Sequence, residues 1–103
     1  MSPETAAALT VMMQAVVKNG TGTPGQISGV SVAGKTGTAE TGLGTLPHTW
    51  FVAFAPAENP TIAVAVLVEN GGDIGSEVTG GKVAAPIAKA VIEAALASAA
   101  GGN

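Results

Sequence analysis

From Thr49 to Val68 the chain reads as two strands and a tight connection, and that stretch constrains the fold more than any other. Thr49-Trp50-Phe51-Val52-Ala53-Phe54-Ala55 is aromatic and β-branched, and Thr61 to Val68 is a β-branched run. Both suit a pleated, packed surface better than a helix. Pro56-Ala57-Glu58-Asn59-Pro60 lies between them, and a short connection with two prolines suits a hairpin, so the strands are expected to pair antiparallel. Ile62 to Val68 is apolar at every position, which predicts cover on both faces and a central place in the sheet.

The flanks read as helices. Ser2-Pro3-Glu4 supplies a cap, a proline at the first helical position and an acid in the first turn. Ala8, Val11, Met12, Ala15 and Val16 then form one apolar stripe, with Met12 and Met13 expected as core filling. Lys18-Asn19-Gly20 closes this helix (3–18), the glycine being expected to take the left-handed stop. At the other end an alanine-rich helix (82–97) is expected to pack through Val83, Ile87, Val91 and Ala94, opposite a polar stripe of Lys82, Lys89 and Glu93. Pro86 is expected in its first turn, because a helix interior penalises proline by about 3 kcal/mol. Glycine-rich stretches at 19–29, 41–48 and 71–81 read as loops, and 98–103 as a frayed tail. Asn19-Gly20-Thr21 fits a glycosylation sequon, but a turn at a helix end is the better reason for it. With a further strand at 30–39 the order is helix, strand, strand, strand, helix. That order predicts one α/β (α+β type) unit over 1–103, a three-stranded antiparallel sheet with flanking N- and C-terminal helices.

Charge and residue usage remove several function classes. Only 11% of the 103 residues are charged, against about 25% in ordinary domains, so much of the surface expects a cover. Four basic residues stand against seven acidic ones, which leaves no basic patch to follow a nucleic-acid backbone. Cysteine is absent and His48 is the single histidine, so a thiolate or histidine-rich metal site is not expected, and no cofactor is implied. No apolar run reaches the ~18 residues of a membrane span, and Met1-Ser2-Pro3-Glu4 lacks the positive start of a signal peptide, so targeting information is expected elsewhere.

The chemistry concentrates in GVSVAGKTGTAE, residues 29–40. Gly29 to Thr36 satisfies the phosphate-loop pattern, and Ile62 to Val68 followed by Glu69 imitates the magnesium-binding strand of nucleotide hydrolases. A phosphate loop also needs a helix directly after its lysine. Here residues 37–47 hold three glycines and a proline, so a P-loop nucleotide-binding fragment is the weaker alternative. Read as a strand, the segment puts Lys35 on one face and Thr36 and Thr38 on the other, with Gly37 removing a side chain between the two hydroxyls. Such an edge offers backbone pairing to an extended peptide, two hydroxyls for a carboxylate and a cation close by, which also suits a non-catalytic peptide- or carboxylate-binding module.

Ala-Gly-Lys35-Thr36-Gly37-Thr38-Ala-Glu, the loop ending in His48-Thr-Trp50-Phe51-Val-Ala-Phe-Ala-Pro56, the apolar strand and the alanine-rich helix together resemble the C-terminal part of the transpeptidase domain of class B penicillin-binding proteins, in particular the actinobacterial penicillin-binding protein A type. The likeness runs from the first helix to about Leu96. It implies a D,D-transpeptidase that binds penicillin and crosslinks peptidoglycan stem peptides through a serine acyl-enzyme, in a parent protein anchored to the membrane with this domain outside it. By the same resemblance Lys35 orients a hydroxyl of the family's second motif, Thr36 and Thr38 bind the carboxylate of a D-alanyl-D-alanine stem or a β-lactam, and the Thr38 backbone N–H serves the oxyanion hole, with Gly37 permitting close approach.

The family also requires S-x-x-K and S-x-N, and neither occurs in these residues: Ser2, Ser28, Ser31, Ser76 and Ser98 have no lysine three positions on and no asparagine two positions on. The chain by itself is therefore expected to be inactive, a truncation or separate piece that lacks the N-terminal part of the domain. The resemblance places a partner strand from that part beside 61–68, whose bare apolar edge is expected to self-associate. His48, Glu40, Glu69 and Asp73 read more simply as loop or turn residues than as ligands.

Overall fold

The structure, a computed structural model, describes residues 1–39, 48–69 and 80–100. In chain order these form helix α1 (Pro3–Asn19), a 3-10 turn (Thr23–Gly25), strands β1 (Ala33–Ala39), β2 (His48–Ala55) and β3 (Ile62–Val68), and helix α2 (Gly80–Ala100). The strands make one antiparallel sheet in the order β1-β2-β3. An α+β unit with helices at both ends is what the sequence pattern requires. Glu40, Asp73 and most of the 41–48 and 71–81 segments lie outside the described residues, as do residues 101–103.

Local chemistry sets the boundaries. The Ser2 hydroxyl accepts the Thr5 N–H at 3.1 Å, satisfying one of the unpaired amides of the first turn of α1, and Pro3 occupies a position where no amide is needed. At the other end the expected left-handed stop is not formed: Gly20 has φ −109°. Glycine suits the position for space, because the Gly20 amide donates to the Val16 carbonyl at 3.1 Å and an added Cβ would crowd that oxygen at 3.1 Å. In the β2–β3 hairpin the Thr61 N–H closes onto the Ala55 carbonyl at 3.0 Å and the Asn59 N–H onto the Pro56 carbonyl at 3.2 Å. β1 begins at Ala33, later than position 30, because Val30 is drawn into a small turn in which its N–H donates to the Ile27 carbonyl.

β2 is the central strand, where the apolar run of β3 predicted that place for β3. β2 turns Thr49, Phe51, Ala53 and Ala55 inward and pairs on both sides. β3 sits at the sheet edge: Ile62, Val64, Val66 and Val68 pack on the core, while Ala63, Ala65 and Leu67 stand exposed on the opposite face. Its apolar composition thus reflects one covered face and one left largely exposed among the described residues.

Both helices present a different face from the one expected. α2 lies across β2 and β3 and buries Ala84, Ala85, Ala88 and Ile92 completely, leaving Ile87 and Val91 exposed. Alanines win the inner face because they allow the helix to approach the sheet closely, where larger side chains would hold it away. That packing carries the helix through Pro86, which lies inside it beyond the first turn, and on to Ala100. α1 touches the sheet at its C-terminal end, where Val17 is buried, whereas Val11 and Met12 are 65% and 57% exposed and Met13 is half-buried. Met12 is therefore not core filling in these residues.

Candidate active site: the open edge of β1

One aromatic ring organises this end of the molecule. Phe51 is fully buried at the centre of β2. A Cβ on Gly34 would stand 2.6 Å from its Cζ, one on Gly25 3.0 Å from Cζ, and one on Gly22 3.2 Å from Cε1. Gly22 and Gly25 of the 19–29 loop, with Gly34 of β1, are thus a socket for the ring rather than slack, and the ring draws that loop against β1. Gly22 is held further by its amide bond to the Val16 carbonyl at 2.9 Å.

The consequence lies between Gly20 and Gly22. The Thr21 hydroxyl comes to 2.6 Å from the Thr36 hydroxyl, across fifteen residues of chain. Sequence reasoning assigned Thr21 to a turn. The signal that could have found it is the glycine on either side, which marks backbone in close approach.

The register fixes the faces of β1. Thr36 stands opposite Phe51 and Thr38 opposite Thr49, so both hydroxyls lie on the α2 face. Lys35 stands opposite Val52 and Gly37 opposite Trp50, on the other face. The parity expected from sequence is the one observed. Lys35 is exposed, and its Nζ donates to the Thr36 carbonyl at 2.5 Å, folding the cation back along its own strand. Thr36 is half-buried and Thr38 exposed at the strand end. Beneath Thr38, Thr49 is fully buried and its Oγ1 has no hydrogen-bond partner among the described residues.

Gly37 differs from Gly34. A Cβ at Gly37 would make ordinary contacts of 3.7 Å and 3.8 Å with Trp50, and its backbone has no left-handed conformation. Nothing within the described fold demands glycine there, and its missing side chain leaves that point of the strand open to close approach. β1 is paired with β2 on one side only, and alternate backbone groups of an edge strand face outward, able to pair with an extended ligand. Because β1 continues as a strand through Ala39, the helix that a phosphate loop needs directly after its lysine is not formed, and the phosphate-loop reading falls. His48 opens β2 opposite Ala39, and Glu69 follows β3 directly.

Other features lie away from this edge. A cleft of about 840 Å³ opens between α1, the 26–32 segment and Lys89 of α2, and none of Lys35, Thr36 and Gly37 lines it. Ser31 fastens the approach to β1: its hydroxyl donates to the Glu58 carboxylate and accepts the Ala57 N–H at 3.0 Å. That bond and one from its own backbone hold the Glu58 carboxyl below the ordinary glutamate range. Among the described residues, no helix is long and apolar enough to cross a membrane.

An open strand carrying Lys-Thr-Gly-Thr between two helices defines a class, and the comparisons agree: residues 1–93 match the penicillin-binding protein transpeptidase domain, and the chain belongs to that family. It is 56% identical over 99 residues to peptidoglycan D,D-transpeptidase PbpA of Mycobacterium tuberculosis, a match covering 93% of this chain and 20% of that protein. Identity to the PbpA of Mycolicibacterium smegmatis is 54%, over the same shares. Among solved structures, the ceftriaxone acyl-enzyme complex of penicillin-binding protein A from M. tuberculosis superposes with a TM-score of 0.84 at 56% identity, over 93% of this chain and 22% of that one. The transpeptidase domain of FtsI4 from Legionella pneumophila gives the same TM-score at 36% identity, over 93% and 37%. The chain thus spans about a fifth of the length of the PbpA relatives.

Proposed function

We propose that these residues are the substrate-binding part of a D,D-transpeptidase that crosslinks peptidoglycan stem peptides through a serine acyl-enzyme and is acylated by β-lactams. The observation that carries the reading is Gly37: a glycine required neither by backbone conformation nor by packing, in an open strand between two hydroxyls and beside a cation. A stem peptide ending in D-alanyl-D-alanine lies along β1, with Thr36 and Thr38 donating to its carboxylate. The Thr38 backbone N–H is one donor to the oxyanion of the tetrahedral intermediate; elsewhere such a donor contributes about 3–4 kcal/mol.

Lys35 constrains where the nucleophile lies. It stands on the face that carries Trp50, Val52 and Leu67, all substantially exposed. A serine whose proton transfers Lys35 assists must therefore sit on an element laid over that face, and S-x-x-K and S-x-N, absent from these 103 residues, belong to the part of the enzyme that supplies it. The enzyme so formed is anchored in the membrane with this domain outside the cytoplasm, where its substrate is.

Fluorescent penicillin tests the reading. The label is expected on a complete transpeptidase domain carrying this segment and not on the 103-residue chain alone. Covalent label on the short chain, or none on the complete domain, would contradict it.

A further inference from the structure

The pair formed by Thr21 and Thr36 has a direction that matters. At 2.6 Å one hydroxyl must donate to the other. Each has a single proton, and a carboxylate can only accept. If Thr36 donates to Thr21, its proton is used within the protein and Thr36 turns lone pairs toward any incoming anion. If Thr21 donates, the Thr36 oxygen is satisfied as an acceptor and its proton is released toward the open edge of β1.

We infer that Thr21 is a positioning residue for substrate binding: its hydroxyl donates to Thr36 Oγ1 and thereby orients the Thr36 proton toward the substrate carboxylate. The inference rests on the proposed carboxylate-binding role of Thr36. The chain Thr21 O–H to Thr36 O–H to carboxylate runs in one sense, so each bond polarises the next. The fold holds Thr21 for this: Gly20 and Gly22 both donate to the Val16 carbonyl, at 3.1 Å and 2.9 Å, and Gly22 also lies against the Phe51 ring. Thr21 itself is exposed, so burial does not account for its placement.

The test compares two ligands on a complete transpeptidase domain carrying these residues, with the second-order acylation rate as readout. With penicillin G, Thr21→Val is expected to lower that rate roughly fivefold to tenfold, and Thr21→Ser, which keeps the hydroxyl, to restore it to within about twofold. With the methyl ester of penicillin G, which lacks the carboxylate, Thr21→Val is expected to change the rate by less than about twofold. In a Thr36→Val background the loss on Thr21→Val is expected to disappear. Equal losses for acid and ester, an undiminished loss in the Thr36→Val background, or no loss at all would overturn the inference. Parent domain acylated normally with Thr36→Val fully active would overturn the carboxylate role of Thr36, and the inference with it.

Discussion

The two edges of one sheet are built on opposite principles. β1 ends the sheet with Lys35, Thr36, Gly37 and Thr38, a strand that carries polar side chains on both faces. β3 ends it with Ile62-Ala63-Val64-Ala65-Val66-Leu67-Val68, which offers nothing polar but its backbone. Water can satisfy the first edge when nothing is bound there. The second is stable only under a lasting cover, because an unpaired apolar edge is a template for another strand. An open edge therefore carries function only when its side chains tolerate being uncovered.

The contrast can be broken first within β1, where Gly34 and Gly37 have different duties. Gly34→Ala drives a methyl to 2.6 Å from the tip of a fully buried ring, which has no room to yield. It is expected to destabilise the domain by about 1–3 kcal/mol in denaturant unfolding. At β3, Leu67→Lys places a charge on the exposed face of the edge strand. Self-association of the 103-residue chain, followed by sedimentation over a concentration series, is expected to weaken about tenfold, whereas Lys35→Gln on β1 should leave it unchanged.

A smaller effect separates the strands at their shared neighbour. Thr49→Val replaces a buried hydroxyl that has no partner among the described residues by a methyl of the same shape, and it is expected to be neutral or to stabilise by up to about 1 kcal/mol. The smallest effect concerns Glu58, exposed and held below its ordinary pKa by Ser31. A depressed carboxyl stabilises the fold above its unfolded pKa of ~4.3 and loses that contribution as pH falls through the folded value. A slight steepening of acid unfolding below that pH is expected, and Ser31→Ala should remove it.

Much of this was legible in the sequence, and the remainder was hidden for identifiable reasons. The hairpin could be read because β-branched runs flank a proline-bounded connection, and the two-residue period of a strand put Lys35 opposite Thr36 and Thr38 in parity without knowledge of the fold. Burial was misread where size and composition mislead. On α2 the small alanines face the sheet while Ile87 and Val91 face outward, and on α1 Val11 and Met12 look like core but find nothing to pack on here. β3 misled in the same way: its uniform apolarity implied cover on both faces, and among the described residues only one face is packed. Thr21 was hidden because its partner is fifteen residues away, joined to it only through the glycine socket around Phe51.

The central claim is that β1 is kept open and glycine-bearing for a substrate, and Gly37→Ala tests it most directly. Trp50 leaves ordinary room for the added methyl. In a complete transpeptidase domain carrying this segment, the variant is expected to retain its unfolding free energy to within about 1 kcal/mol, the β-sheet cost of such an exchange being small. Acylation by penicillin is expected to fall at least about tenfold, as a misplaced ligand would require. Undiminished acylation, or a loss that merely follows lost stability, would contradict the account.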